Sequence, residues 1–474
     1  MKTINKNINK EVNVDITDIN YEGMGIANLN DKCLFVEGAI TDENVDCVLD
    51  FENKSFYRGH AVKINQQSPF RIKPKCATYD KCGGCQLLHL DYQESLKYKL
   101  KSVNNTLKKI GNVDFEVKEI IGMDELIPYR NKVQIKAGKV EDHLVLGYFE
   151  RRSHNIVPFK NCILQSDEIN EMTNFIKNIL NEFHLQAYDE NTKQGDIKHV
   201  MIRENKNKEM MIVFVISKKK IEHEKELVDK LLNRYNNIVS IIKNINEKDN
   251  NVILGDKFEV LYGKDEIIDE ILGLKFKISH YSFFQVNRYQ TEKLYSKVLE
   301  YVGKENNVVD AYCGVGSISL NLAKNSKQVY GIEVVKEAID NANANKELNN
   351  IKNVEFILGK VEDKIFELLE NKTIDCVVID PPRKGLDIKV IDALKNTNIK
   401  KIVYVSCNPS TLARDLGLLK DKYEIENMCT VDMFAYTTGV ESVCTLTNRA
   451  GNTNWKYDIT IKISRWSWYL FILI

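Results

Sequence analysis

The sequence predicts an α/β fold: a doubly wound, Rossmann-like parallel sheet in the C-terminal half, preceded by a small β-barrel and a mixed α+β central region. Three observations predict it. From about Leu274 onward, strand-like runs alternate with helical segments: Val308-Val309, Val329 to Ile332, Val354 to Leu358, Ile374 to Ile379 and Ile402 to Val405. That alternation is the pattern of a parallel sheet with helices on both faces. The first run ends in Asp310 and enters Tyr312-Cys313-Gly314-Val315-Gly316 before an apolar-periodic segment, which reads as strand, tight turn and helix. Short runs with period-two patterning fill roughly the first 62 residues, as in a small barrel.

At 474 residues the chain is too long for one core. Four segments are expected: 1–65, the barrel; 66–273, the central region; 274–448, the sheet with its site; and 449–474, a tail. Lysine plus arginine balance aspartate plus glutamate at 67 each, so a footprint for nucleic acid must be local. The N-terminus lacks the apolar core of a secretory signal, and no run is long enough to span a bilayer. A cytoplasmic monomer without a membrane partner is expected. In that compartment the 11 cysteines point to metal or catalysis before disulfides.

In the barrel, Val12, Val14 and Ile16 alternate with polar residues, and Phe51, Phe56 and Tyr57 stand beside Lys54 and Arg58. These aromatics could stack on bases, but residues 1–63 carry seven basic against eleven acidic side chains. A solvated barrel with its aromatics in the core is the equal alternative. From Gln66 to Ile110 the balance reverses to nine basic against three acidic, an excess that attracts phosphate. The same window holds Cys76, Cys82 and Cys85, the last two bracketing Gly83-Gly84. The glycines permit a turn that aims two thiolates at one centre. Cys162, on a loop-like stretch, is the best fourth ligand. Four thiolates suit an iron–sulfur cluster or a tetrahedral zinc, and spacing alone does not separate them.

Asp91 to Ile110 is predicted as an amphipathic helix with Tyr92, Leu96, Leu100, Val103 and Leu107 on one face. Strands are expected over 128–135 and 144–149, a helix over 172–183, and a hairpin from 200–203 and 211–216.

In the C-terminal half the notable residues fall at strand ends, where open α/β sheets bind ligands. Gly314 and Gly316 let backbone approach a nucleotide-like cofactor. Glu333 follows about 20 residues later, where a ribose-binding acid is placed. Asp380 precedes Pro381-Pro382, which fix its direction. Cys407 follows a strand-like run and precedes Asn408-Pro409; a helix expected from about Thr411 could lower its pKa and make it a nucleophile. Glu441 opens a final strand and could act as a base. Cys33, Cys47, Cys313, Cys376, Cys429 and Cys444 are taken as inert.

These residues resemble the S-adenosylmethionine-dependent RNA uracil-5-methyltransferases, and closely the iron–sulfur 23S ribosomal RNA branch. The resemblance covers roughly residues 12–448. It rests on the four-cysteine set, Ser282-Phe283-Phe284-Gln285-Val286-Asn287, Asp310 to Gly316, Asp380 to Gly385, and Ser406 to Pro409 followed by Thr411-Leu412-Ala413-Arg414-Asp415. It implies a TRAM-type RNA-binding barrel, a central domain with a 4Fe–4S cluster, and a methyltransferase domain on which the 91–110 helix packs. It implies that Cys407 adds to uracil C6, that Glu441 removes the C5 proton, and that Gln285, Tyr312, Glu333 and Asp380 line the S-adenosylmethionine pocket with Asp310, Gly314 and Gly316. RNA, expected to be 23S ribosomal RNA before full ribosome assembly, is the implied partner. A tRNA enzyme of the same chemistry and a non-catalytic RNA-binding metalloprotein are the alternatives. The family usually has a proline after the Phe434 position and a histidine two residues before Glu441; this chain has Ala435 and Gly439.

Overall fold

The computed structural model describes residues 8–126, 128–249 and 251–451; the tail expected over 449–474 lies almost wholly outside them. The N-terminal strands form one six-stranded sheet in the order Glu11–Asp15, Asn44–Glu52, Phe56–Gln66, Lys32–Glu37, Gly25–Leu29, Asp18–Ile19. Its alternating apolar residues, among them Val14, Leu34, Val36, Val45 and Leu49, meet in a single core. No ladder among the described residues closes the first strand on the last, so the expected barrel is a sheet open at that seam. Tyr57 belongs to the core, while Arg58 lies over the Phe51 ring.

A seven-stranded mixed sheet forms the centre, running from Ile156–Pro158 at one edge to Lys257–Gly263 at the other. The hairpin Ile197–Glu204 and Met210–Ile216 lies inside it, with helices Asp167–Glu182 and Glu224–Arg234 contributing to its core. Strand Lys132–Val140 starts later than expected, because the Arg130 and Asn131 amides donate to the carbonyls of Leu164 and Val286 instead of to a neighbouring strand.

The C-terminal sheet has eight strands. Val354–Leu358, Gln328–Glu333, Asn307–Ala311, Cys376–Ile379 and Lys401–Ser406 are parallel neighbours in that order. Between their end residues the last four carry no charged side chain except Asp310, because helices cover both faces. Glu441–Asn448 then pairs antiparallel with Lys401–Ser406 and with Tyr423–Val431. The edge strand is Glu119–Ile121, parallel to Tyr423–Val431, so an early part of the chain completes the late sheet.

The helix before that edge strand explains how. Asp91 caps Tyr92–Thr106 by accepting from the amides of Gln93 and Glu94, relieving two of the unpaired N–H groups of a helix start. Its buried Val103, and Leu107 of the following π-helical turn Leu107–Gly111, share a core with Val309, Val377 and Leu412. Contact is close at Gly111, where a Cβ would lie 2.3 Å from the Ala413 carbonyl oxygen. Any side chain there would push the turn off helix Pro409–Leu419.

Candidate active site

The first strand of the parallel sheet leads into a tightly wound turn. Tyr312, Gly314 and Gly316 all have left-handed backbone, with φ of 67°, 54° and 81°. For Tyr312 that conformation costs on the order of 1–3 kcal/mol, which the turn's fastening must offset. Glu333 supplies part of it: one carboxylate oxygen accepts from the Gly314 amide at 3.1 Å, the other from Val334 and Val335 at 2.8 and 2.9 Å. Asp310 sits beneath, fully buried, accepting from Ser319 Oγ at 2.5 Å through one oxygen. Its other oxygen has no partner, and burial pushes its pKa up to about 7.

The Asp380 loop is fastened from the other side by the helix after Cys407. Asn408 caps that helix and Pro409 is its first residue, so it begins two residues earlier than expected: proline's missing N–H costs nothing there. Asn408 Nδ2 and Thr411 Oγ1 donate to the Arg383 carbonyl at 3.0 and 3.2 Å. Arg414 donates to the carbonyls of Lys384 and Leu386, and buried Asp415 accepts from the Leu386 amide and the Tyr404 hydroxyl at 2.9 and 2.7 Å. Cys407 and Asp380 are thereby held by one latch.

One cleft of about 1490 Å³ brings Gln285, Tyr312, Gly314, Glu333, Asp380, Cys407 and Glu441 together. Asp310 and Gly316 are not among its walls; Asp310 lies below the turn, and a Cβ on Gly316 would collide with the Phe356 ring. The outer rim includes Tyr21, Met24 and Glu37 of the N-terminal sheet and Arg130, Arg151 and Arg152 of the central region. Asn131 fixes the Gln285 segment by donating its side-chain amide to the Gln285 carbonyl and its backbone amide to that of Val286, at 3.0 and 2.9 Å.

The electrostatics correct one expectation. Burial, then Glu441 and Asp380, push the Cys407 thiol up to about 11, while Arg383 opposes them. The helix start does not depress it, because burial and two carboxyl groups outweigh one exposed terminus. Burial raises Asp380 to about 7. Glu441 is raised well above the usual carboxyl range by burial and by Asp380, again against Arg383. With Glu441 protonated, much of the repulsion on a Cys407 thiolate disappears.

Cys76, Cys82, Cys85 and Cys162 all line a second cavity of about 400 Å³. Burial and the other thiols push Cys85 up to about 12. Among the described residues no three His, Cys, Asp or Glu side chains are grouped tightly enough to hold a metal ion, so the thiols surround a space rather than aim at one point. The two cavities share Gly84, Arg130, Tyr148, Phe283 and Val286.

Sequence reasoning passed over Arg383, although its place directly after Asp380-Pro381-Pro382 was a signal. It also passed over Lys99, whose buried ammonium meets Asp432 Oδ1 at 2.5 Å across 333 residues. Nothing local in the sequence marks that pair.

Residues 91–449 match a family model described as tRNA (uracil-5-)-methyltransferase. An uncharacterized RNA methyltransferase of Clostridium tetani is 42% identical over 444 residues, covering 93% of this chain and 96% of the relative. One of Listeria innocua is 40% identical over 445 residues, covering 93% and 98%. The crystal structure of Pyrococcus abyssi tRNA (uracil-54, C5)-methyltransferase in complex with S-adenosyl-L-homocysteine superposes with a TM-score of 0.75 at 28% identity, covering 92% of this chain and 99% of that one.

Proposed function

The chain belongs to the tRNA (uracil-5-)-methyltransferase family, and from that premise we propose that it methylates C5 of a specific uridine in 23S ribosomal RNA. The observation that carries the chemistry is the meeting of Cys407, Asp380 and Glu441 in one cleft. Uracil C5 is a weak nucleophile, so a thiolate adding to C6 is what makes it reactive. Cys407 supplies that thiolate. Glu441 then takes the C5 proton; the C–H electrons form the C5–C6 double bond, the C6–S bond breaks, and Cys407 leaves as thiolate. The base must be unstacked to enter, which suits a loop or bulge.

S-adenosylmethionine fits the turn between the glycines. A Cβ on Gly314 would meet nothing within 4 Å, so the backbone there is open to the cleft, and Glu333 stands at the strand end where ribose hydroxyls are held. Gln285, Tyr312, Glu333 and Asp380 would hold it. When bound it supplies an electrophilic methyl group.

The donor set of the second cavity is four cysteines, which suits a 4Fe–4S cluster. A structural zinc, which would need four sulfurs within about 2.3 Å of one point, is the alternative occupant of the same donor set. Cys76, Cys82, Cys85 and Cys162 would be its ligands, with Arg130 on the cavity wall. Its part in this reading is structural, holding the central region against the RNA.

The cysteine set favours 23S ribosomal RNA. The second reading, tRNA as substrate, is favoured by the description of the matching family model and by the tRNA enzyme among the similar structures. Undermodified 23S ribosomal RNA and tRNA incubated with protein and S-adenosylmethionine decide between them. The expected product is 5-methyluridine in 23S ribosomal RNA, absent with Cys407→Ala; product in tRNA alone establishes the second reading.

A further inference from the structure

The loop that joins strand Tyr423–Val431 to strand Glu441–Asn448 delivers Glu441 to the cleft. Among the described residues none donates a hydrogen bond to the Glu441 carboxyl, so its aim depends on the backbone that carries it. Glu441 opens the strand paired with Val431, and the loop that leads into it is held from the first third of the chain. Lys99 Nζ donates to Asp432 Oδ1 at 2.5 Å, to the Phe434 carbonyl at 3.1 Å and to the Gly439 carbonyl at 2.8 Å. Three donors meet three acceptors, and both ends of the loop are tied to one buried ammonium. Tyr92 donates to the other Asp432 oxygen at 2.8 Å and itself accepts from the Met123 amide.

The loop's crest is clasped separately. The Gln86 and Leu87 amides both donate to the Tyr436 carbonyl, at 3.0 and 2.9 Å, and Tyr129 donates to that of Ala435 at 3.1 Å. Tyr436 is held in left-handed backbone with φ 66°. Gln86 follows directly on Cys85, so a displacement of the cysteine turn is passed to the loop through two hydrogen bonds.

We propose that Lys99 is a positioning residue for proton removal at C5, fixing the Glu441 carboxylate through the loop 432–439, with the Gln86–Leu87 clasp tying that position to the cysteine turn. This rests on the uracil-methylation reading. Lys99 touches no reacting atom. Its effect falls on the last step, in which the C5–H electrons expel the Cys407 sulfur, more than on thiol addition, whose Cys407 is latched through Asn408, Thr411 and Arg414, or on methyl uptake, where the Gln285 segment meets the loop through Asn287 and the Met433 carbonyl. Small displacements of a base cost most in the step that uses it.

The test is single-turnover kinetics of the full-length protein on 23S ribosomal RNA carrying tritium at uracil C5, following methyl uptake, tritium release and the detergent-stable protein–RNA adduct. Lys99→Met is expected to keep methyl uptake within about twofold while tritium release slows about tenfold or more and the adduct accumulates. Tyr92→Phe removes one hydroxyl and is expected to show the same split at about threefold. Should Lys99→Met lose its melting transition, Tyr92→Phe decides by the same ratio. Parallel slowing of uptake and release, or no change in either, overturns the positioning role while leaving uracil methylation standing. Failure of the unaltered protein to form adduct or 5-methyluridine on 23S ribosomal RNA and on tRNA alike removes both readings together.

Discussion

Two cavities of the molecule, one lined by Cys407 and the other by four cysteines, share Gly84, Arg130, Tyr148, Phe283 and Val286 in their walls, and their thiols face different neighbours. In the larger, one thiol faces two carboxyl groups, and burial drives all three pKa values up. The repulsion is relieved by keeping protons, which a reacting base can then exchange. In the smaller, thiols face one another: Cys85 is pushed up by Cys162, Cys82 and Cys76. These thiols too are neutral while they keep their protons; on the cluster reading proposed above, a bound cationic group would take the place of those protons. On the reading proposed above, the same side chain would serve chemistry where its neighbours are carboxyl groups and architecture where its neighbours are its own kind.

The sharpest way to break this contrast is to disable each cavity in turn. Cys407→Ala removes the nucleophile and should abolish methylation by about 10⁴-fold or more, with melting temperature and any visible absorption unchanged. A coincident loss of absorption would show that the two cavities are not independent. Glu441→Gln should retain adduct formation but slow its breakdown by roughly 10²–10⁴-fold, the range of a lost general base, seen as detergent-stable protein–RNA complex. Free turnover with glutamine at 441 would move the base elsewhere.

Cys85→Ser tests the smaller cavity and should act in the reverse order. Loss of a ligand is expected to lower metal content and melting temperature first and methylation about 10- to 100-fold. The activity deficit should lie in adduct breakdown, since the clasp on Tyr436 starts one residue away. Unchanged melting with unchanged iron would sink the metal reading of the four cysteines.

The contrast also governs what could be read from sequence. The larger cavity was legible because a parallel sheet collects residues at its strand ends, so Asp310, Glu333, Asp380 and Cys407 could each be placed from the run of apolar residues before them. Even there the sequence could not tell which would face the cleft. Asp310 ends the first strand yet points beneath the turn to Ser319. The cysteine spacing let the four thiols be grouped, and they do line one cavity, but the space they enclose was not legible. Least legible was the frame around Glu441. Strand Glu119–Ile121 completing the late sheet and the Lys99–Asp432 pair join segments more than 300 residues apart. No local periodicity records such a contact; a lysine on a polar-looking helix face reads as solvated until its partner is known. The absent histidine before Glu441 has a local counterpart in the structure. A Cβ at Gly439 would stand 3.1 Å from the Phe434 ring and 3.3 Å from Thr437 Oγ1, so this loop is closed tightly where a side chain would otherwise sit.

The finest expected effect concerns Arg383, the one cation among the charged neighbours of Cys407 and Glu441. Glu441 faces Asp380, which raises its pKa, and Arg383, which lowers it; Cys407 faces the same two and Glu441. Only the carboxylate accepts the C5 proton, and only the thiolate adds to C6. Because both pKa values are raised, both active forms are scarce at low pH, and single-turnover rates should climb as pH rises through neutrality. Arg383→Leu removes the opposing charge, raises both pKa values further, and should displace that climb to higher pH by about one unit, the lower end of what a neighbouring charge does, since the Arg383 side chain is exposed. A displacement toward lower pH would mean that Arg383 acts on the RNA phosphate more than on the acid pair. The four-cysteine cavity carries no such lever: its thiols would be held deprotonated by metal, and Arg383→Leu should leave visible absorption untouched across the same pH range. If the absorption titrates with the activity, proton-holding and metal-holding are not separate solutions, and the wall between the cavities conducts charge from one to the other.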